Sequence, residues 1–217
     1  MTALSFNVVF IIISTLISFV VYLQKHTPLY LRLFPPFLVI TVAVEIIGKL
    51  LADNGRSNVL LYNCFTTLEF IFYFYVLRSV IENARFRKLI GYLLIVYPAA
   101  TFINIFFIIP KGYFHSITYA IGCLLMVGIC IYYFFELFQL SRSMALVREP
   151  AFWICSGLLF YYCCSFPLFA MLNFMSGVSV VLIRNIDYIL KYLNVLLYSI
   201  FSIAFVCRMK LRKRAAM

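Results

Sequence analysis

Seven mostly apolar stretches, each about 20 residues long, constrain the fold of this chain more than any other sequence feature. A helix of roughly 20 apolar residues crosses the ~30 Å hydrocarbon core of a membrane. The stretches cover residues 5–24, 31–52, 58–80, 88–109, 117–140, 151–173 and 185–207. We therefore predict an all-α, polytopic transmembrane helical bundle of about seven spans.

Composition leaves no room for a soluble domain. Of the 217 residues, 65% are hydrophobic and 12% are charged, whereas a soluble domain has about 25% charged residues. Residues 1–6 carry no Lys or Arg, so the first stretch lacks the basic start of a secretory signal, and we expect it to remain as a membrane helix. We expect residues 1–207 to form one seven-helix domain and residues 208–217 a short basic cytoplasmic tail.

The sixth stretch is the least regular of the seven. Pro167 lies inside it, and the residues that follow, 171–183, are only weakly apolar. A bent helix or a re-entrant segment would both fit this pattern. We interpret the stretch as a spanning helix.

The distribution of basic residues predicts the orientation, because Lys and Arg are retained on the cytoplasmic side. With the N-terminus outside, the inner connections and the tail contain 13 of the 18 Lys and Arg residues. These are Lys25, Arg32, Arg78, Arg85, Arg87, Lys88, Arg142, Arg148, Arg208, Lys210, Arg212, Lys213 and Arg214. We therefore expect the N-terminus outside, the C-terminus in the cytoplasm and a location in the inner (plasma) membrane.

The net charge of +11 does not indicate nucleic-acid binding. The basic residues are spread over short connections and a tail, which is the distribution that membrane topology and anionic lipids require. We expect membrane lipids as partners, together with a membrane or cytoplasmic signalling partner, and no nucleic acid. The sequence does not determine the oligomeric state.

Metal, cofactor and catalytic motifs are absent from the sequence. The seven cysteines lie in or beside the predicted spans and lack CxxC spacing, so we interpret them as small apolar residues. The two histidines, His26 and His115, are expected on opposite sides of the membrane. We predict no metal, no cofactor and no catalytic residues, although a lipid-modifying enzyme that uses carboxylates alone remains an alternative.

Glu69 is the most informative single residue. It lies near the middle of the third predicted helix, where an acid costs at least ~2.5–3.5 kcal/mol on insertion scales and is a functional-site hypothesis by default. Helical spacing places Asn63, Thr66 and Glu69 on one face, together with Tyr62 and Tyr73. This face is polar along its outer half.

Two other predicted helices carry polar residues in their outer halves. The second has Glu45 and Lys49, and the seventh has Asp187, Lys191 and Asn194. In both helices an acid precedes a lysine by four residues, which favours an ion pair within the helix.

Two interpretations of these three polar faces remain open. Interhelical polar contacts in membranes contribute about 0.6 kcal/mol on average, and the residues can simply hold helices together. Alternatively, the faces line one water-accessible pocket that opens outward and has Glu69 at its floor. We predict the second arrangement, with a ligand or ion pocket formed by Glu45, Lys49, Asn63, Thr66, Glu69, Asp187, Lys191 and Asn194.

Several segments together resemble a family of uncharacterised bacterial seven-span inner-membrane proteins. They are Leu29-Tyr-Leu-Arg-Leu-Phe-Pro-Pro36, Glu45-Ile-Ile-Gly-Lys49, Leu61-Tyr-Asn63, Glu69-Phe-Ile-Phe72, Arg148-Glu-Pro-Ala-Phe-Trp-Ile154 and Leu159-Phe-Tyr-Tyr162. The resemblance covers most of the chain and implies a bacterial inner-membrane location. It implies no activity and no functional residues.

From these patterns we expect a sensor or accessory subunit that binds a small ligand or a lipid headgroup in an outward-facing polar pocket. The short basic inner connections leave no room for an enzymatic domain there. A transporter or ion pathway that uses Glu69 is the alternative. Such a pathway would need further acids toward the inner face, where the spans offer only Glu136, on a different helix.

Overall fold

The structure is a computed structural model and describes residues 6–23, 27–110, 112–139, 149–174 and 180–215. Within these ranges only the backbone is described for residues 172–174, 180–184 and 208–215. His26, Lys25, Arg142 and Arg148, used above in the arguments about metals and orientation, lie outside the described residues.

All secondary structure in the described residues is helical, in agreement with the predicted fold class. The helices are α1 (Phe6–Ser18), α2 (Leu29–Arg32), α3 (Phe34–Asp53), α4 (Val59–Val80), α5 (Ala84–Ile103), α6 (Ser116–Gln139), α7 (Pro150–Phe174) and α8 (Val180–Ala215). A 3₁₀ segment, Phe19–Leu23, continues α1, and a π-helical turn, Asn104–Ile108, continues α5.

The described residues contain seven helical segments that are long and apolar enough to cross a membrane. They are Phe6–Leu23, Leu29–Asp53, Val59–Val80, Ala84–Ile108, Ser116–Gln139, Pro150–Met171 and Asn185–Cys207. This confirms the prediction of a multi-pass membrane protein with seven spans. Pro167 lies inside the continuous helix α7, so the sixth predicted stretch is one helix up to Phe174.

Several helix ends differ from the sequence prediction, including the start of α8 at Val180. Helix α5 begins at Ala84 rather than residue 88, because the Asn83 side chain accepts hydrogen bonds from the backbone N–H groups of Arg85 and Phe86, at 2.9 and 3.2 Å. Such an N-cap sets a helix start independently of hydrophobicity. Helix α8 continues to Ala215 through most of the predicted tail, where no Gly or Pro interrupts it.

Short connections make consecutive spans run in opposite directions and define two ends of the bundle. We call the end with connections 54–58 and 109–115 the pocket end. The other end holds connection 81–83. There the Glu136 carboxylate of α6 accepts hydrogen bonds from the backbone N–H groups of Glu82 and Asn83, at 3.0 and 2.7 Å, which ties α6 to the connection between α4 and α5.

Helix α4 contacts more helices than its two neighbours in the ring alone. It packs against α3, α5 and α6, and its aromatic rings also reach α7 and α8. The remaining contacts run from α3 to α1, then to α8, α7 and α6, so these five helices and α4 form a closed ring, and α5 packs against α4 from outside it. Side chains on the inner face of α4 are therefore close to several helices at once, whereas Leu60 and Leu68 are exposed.

Aromatic packing holds the centre of the bundle together. Phe70, Tyr73 and Phe74 of α4 are completely buried. The Phe70 ring lies 5.2 Å from that of Tyr162 in α7, and the Tyr73 ring lies 6.0 Å from that of Phe201 in α8. Because lipid tails are as apolar as the helices, membrane helices associate through such close packing rather than through burial alone.

Two glycines of α6 give a matched test of this packing. A Cβ atom added at Gly122 would lie 2.6 Å from Tyr97 Oη and 2.7 Å from Phe70 Cζ, whereas one at Gly128 would meet no atom within 4 Å. Because overpacking typically costs about 1–3 kcal/mol, we expect Gly122→Ala to lower the melting temperature of the protein in detergent. Gly128→Ala should leave it unchanged or raise it slightly, and equal effects of the two changes would contradict this packing.

Candidate binding pocket

A cavity of about 700 Å³ lies among the helices at the pocket end. Its volume is within the ~300–1,000 Å³ typical of small-molecule sites. Six helices and two connections contribute to its wall. The lining residues are Asn7, Val8, Glu45, Lys49, Ala52, Asn58, Val59, Tyr62, Phe65, Thr66, Glu69, Phe114, Tyr119, Tyr161, Phe169, Asp187, Leu190, Lys191, Asn194 and Tyr198.

The structure brings together seven of the eight residues that the sequence suggested for a pocket. The polar faces of α3, α4 and α8, which are the second, third and seventh predicted helices, meet around this one cavity. The seven residues that line it are Glu45, Lys49, Thr66, Glu69, Asp187, Lys191 and Asn194. That they bind a ligand stays a prediction.

Asn63, the eighth residue, does not line the cavity. It hydrogen-bonds to the connection between α5 and α6. Its side-chain nitrogen donates to the Tyr113 carbonyl at 3.1 Å, and its side-chain oxygen accepts from the His115 backbone N–H at 3.2 Å. Both groups belong to the connection between α5 and α6. The polar face of α4 therefore serves two purposes, since Asn63 holds a connection while Thr66 and Glu69 face the cavity.

His115 completes this anchor. The ring is fully buried, with Nε2 2.8 Å from Thr66 Oγ1 and Nδ1 2.8 Å from Thr118 Oγ1. Burial lowers the pKa of His115 from 6.5 to about 4, so the ring is neutral at neutral pH. In the described parts of the chain, no group of three or more His, Cys, Asp or Glu side chains is arranged to hold a metal ion.

Asp187 and Lys191 form the ion pair within α8 that their spacing predicted. The Lys191 ammonium lies 2.5 Å from Asp187 Oδ2, and the two side chains are 30% and 55% exposed. At this exposure the pair contributes little to stability. It places one charge of each sign on the cavity wall.

Glu45 contacts α4 as well as facing the charges of α8. Its carboxylate accepts a hydrogen bond from the Tyr62 hydroxyl, and the charge of Lys191 acts on it. The tyrosine packs against Gly48, where a Cβ atom would lie 2.6 Å from Tyr62 Oη. The absence of a side chain at Gly48 therefore gives the Tyr62 hydroxyl the space that it occupies beside α3. The predicted pairing of Glu45 with Lys49 stays a prediction.

Glu69 forms the floor of the cavity. It lies ten residues after the start of α4 at Val59, a depth of about 15 Å at the helical rise. Its side chain is 7% exposed. No Lys, Arg or His among the described residues forms an ion pair with it.

Tyrosine side chains surround the Glu69 carboxyl. Three tyrosines that line the cavity are close enough to Glu69 to interact with it electrostatically. They are Tyr119 of α6, Tyr161 of α7 and Tyr198 of α8. The Tyr119 and Tyr161 hydroxyls lie near each other. The Tyr73 hydroxyl is buried beside Glu69 and makes no hydrogen bond of normal length within the described residues.

Sequence reasoning missed most of these lining residues. Tyr119 and Tyr161 lie in apolar stretches where tyrosine is indistinguishable from an ordinary core or interfacial residue. Asn7 was also missed, although it is an amide side chain in a mostly apolar helix. Such an intramembrane polar residue is a signal that could have pointed to α1.

The cavity ends at a layer of apolar and aromatic side chains. Beyond Glu69, α4 continues with the fully buried Phe70, Phe74 and Leu77, and α8 continues beyond Tyr198 with Phe201 and Phe205. Phe34 of α3 packs its ring 5.4 Å from that of Phe201 and 5.5 Å from that of Phe205. This packed layer separates the cavity floor from the opposite end of the bundle.

Comparison of the chain with protein-family models, with curated protein sequences and with solved structures yields no match. The resemblance to a family of seven-span membrane proteins therefore has no support from these comparisons. Inference about function depends on the geometry of the cavity.

The low pKa of His115 predicts a loss of stability on acidification. Between pH 6.5 and about 4 the unfolded chain binds a proton at this residue that the folded protein does not, so the free energy of unfolding falls as the pH falls through this window. We expect the melting temperature in detergent to fall more steeply below pH 6.5 for the wild type than for His115→Gln, which cannot titrate. Parallel pH profiles for the two proteins would contradict the buried neutral state.

Proposed function

We propose that the protein binds a small polar ligand or a lipid headgroup in this cavity and acts as a sensor or accessory subunit. The observation that carries the proposal is the convergence of polar residues from α3, α4 and α8 on one cavity of about 700 Å³. Polar residues that only held helices together would pack against one another and leave no such space. A cavity with charged and aromatic walls favours binding instead.

The cavity opens outward in this proposal, and the charge distribution supports that orientation. At the end of the bundle opposite the cavity, the described residues include Arg32, Arg78, Arg85, Arg87 and Lys88. Basic residues concentrate on the cytoplasmic side of membrane proteins, which supports the proposal that this end faces the cytoplasm from a plasma or inner membrane.

Signalling rather than transport is favoured by the layer beneath Glu69. An ion or substrate that left the cavity toward the opposite end would have to pass the fully buried rings of Phe70, Phe74 and Phe201. Helix α4 connects the cavity floor directly with the opposite end, where connection 81–83 follows it. A shift of α4 on ligand binding would therefore reach a membrane or cytoplasmic partner at that end.

Cysteine labelling tests the opening and orientation of the cavity. We expect Asn194→Cys, on the cavity wall, to react with a membrane-impermeant cationic thiol reagent added outside intact cells, because water enters the cavity from that side. The control is Ser79→Cys at the opposite end, which should react only after the membrane is permeabilised. The unmodified chain, with its seven cysteines, gives the background. The reverse pattern would overturn the orientation, and no labelling of Asn194→Cys from either side would overturn the open cavity.

Flux measurements separate a binding protein from the transporter alternative. We expect purified protein in proteoliposomes to show no ion flux under an imposed pH gradient, both in the wild type and in Glu69→Gln, because a packed aromatic layer lies below the floor. Glu69→Gln removes the charge while nearly keeping the shape. Flux in the wild type that disappears in Glu69→Gln would assign Glu69 to a conduction pathway instead.

A further inference from the structure

The charges on the cavity wall do not balance. Among the lining residues in the described part of the chain, Glu45, Glu69 and Asp187 provide three carboxyl groups, whereas Lys49 and Lys191 provide two ammonium groups. Asp187 is paired with Lys191 at the exposed end of the wall. The cavity wall therefore has one more carboxyl group than ammonium groups.

The excess acid is Glu69 at the floor. The nearest acid along the wall, Glu45, hydrogen-bonds to Tyr62 and lies within the field of Lys191. Glu69 has no such cation, and the charge that acts on it is that of Glu45, which is of the same sign. A buried carboxylate without a partner is costly, so a ligand cation placed beside Glu69 would stabilise the ionised form of this acid.

Aromatic rings above and beside Glu69 favour one kind of cation. Tyr119, Tyr161 and Tyr198 lie near its carboxyl, and Phe65 and Phe169 also line the cavity. Tyrosine and phenylalanine rings attract organic ammonium groups through their π-faces. A cavity for a bare inorganic ion would be small and lined by oxygen atoms, whereas this one is about 700 Å³ and has seven aromatic residues among its 20 lining residues.

A second, independent polar group of the cavity wall, the Asn7 side chain, has an acceptor atom without a hydrogen-bond donor in the described part of the chain. Asn7 of α1 lines the cavity and is 3% exposed, and its Oδ1 atom accepts no hydrogen bond within the described residues. Buried acceptors are nearly always satisfied. An ammonium group has several N–H donors and no acceptor, which suits a site where acceptors are in excess.

We propose that the ligand carries an organic ammonium group, which binds at the cavity floor between the Glu69 carboxylate and the rings of Tyr119, Tyr161 and Tyr198. The ligand is an amine with an apolar or aromatic body that fills the rest of the cavity. This inference rests on the proposed binding function and adds the chemical class of the ligand.

Three probes of similar shape and different charge test the inference. Phenethylammonium, 2-phenylethanol and phenylacetate carry one positive charge, no charge and one negative charge at neutral pH. Each is titrated into the purified full-length protein in detergent at constant ionic strength, and binding is followed by the melting temperature and by calorimetry. We expect phenethylammonium to raise the melting temperature and the other two probes to leave it unchanged.

Two matched substitutions locate the bound charge. Glu69→Gln should weaken phenethylammonium binding by roughly tenfold or more, because it removes the charge that faces the ammonium group. Glu149→Gln makes the same change at the opposite end of the bundle, outside the cavity, and should bind like the wild type. Glu69→Asp retains the charge, so if Glu69→Gln does not fold, Glu69→Asp should still prefer phenethylammonium over the neutral probe, with altered affinity.

The outcomes separate this inference from the proposed function. Equal binding of all three probes, preference for phenylacetate, or an equal effect of sodium ions would overturn the ammonium class while leaving a ligand-binding cavity. Unchanged phenethylammonium binding in Glu69→Gln would overturn the placement at the floor. If no probe binds but Asn194→Cys is labelled from outside, only the ammonium inference is overturned. If no probe binds and Asn194→Cys is not labelled from outside, the proposed function is overturned as well.

Discussion

The cost of holding a carboxyl group about half-way across a membrane shapes the arrangement around Glu69. An acid at this depth needs water, a cation or polar neighbours, and lipid supplies none of them. The bundle supplies an open cavity on one side and a set of tyrosine hydroxyls around the carboxyl. Helices that contribute no charge to the site, such as α6 and α7, are therefore required for it, because they carry Tyr119 and Tyr161.

Helix α4 combines two environments along its length. Its first half, up to Glu69, lines the cavity and anchors the α5–α6 connection through Asn63. Its second half packs its inner face against rings and aliphatic side chains, with Phe70 and Phe74 completely buried. One continuous helix therefore joins the cavity floor to the opposite end of the bundle.

The sequence identified most of the charged residues of the site but not its shape. Glu45, Asp187 and Lys191 stood out because a charge in an apolar stretch is rare, and all three line the cavity. Asn63 shared the same helical face and was placed in the cavity, but its partners Tyr113 and His115 are distant in sequence. Tyr119 and Tyr161, the neighbours of Glu69 on α6 and α7, had no distinguishing pattern, since tyrosine is common in membrane helices.

The seven spans were determined by the sequence alone, because membrane length and the need to satisfy backbone hydrogen bonds within each helix leave few alternatives for seven apolar stretches. Which polar faces meet was decided only by the tertiary structure. Periodicity gives the face of a helix but not its neighbour, and the neighbour depends on side-chain fit such as that of Gly122 against Phe70 and Tyr97. The location of Glu69 on a cavity that six helices line follows from that packing.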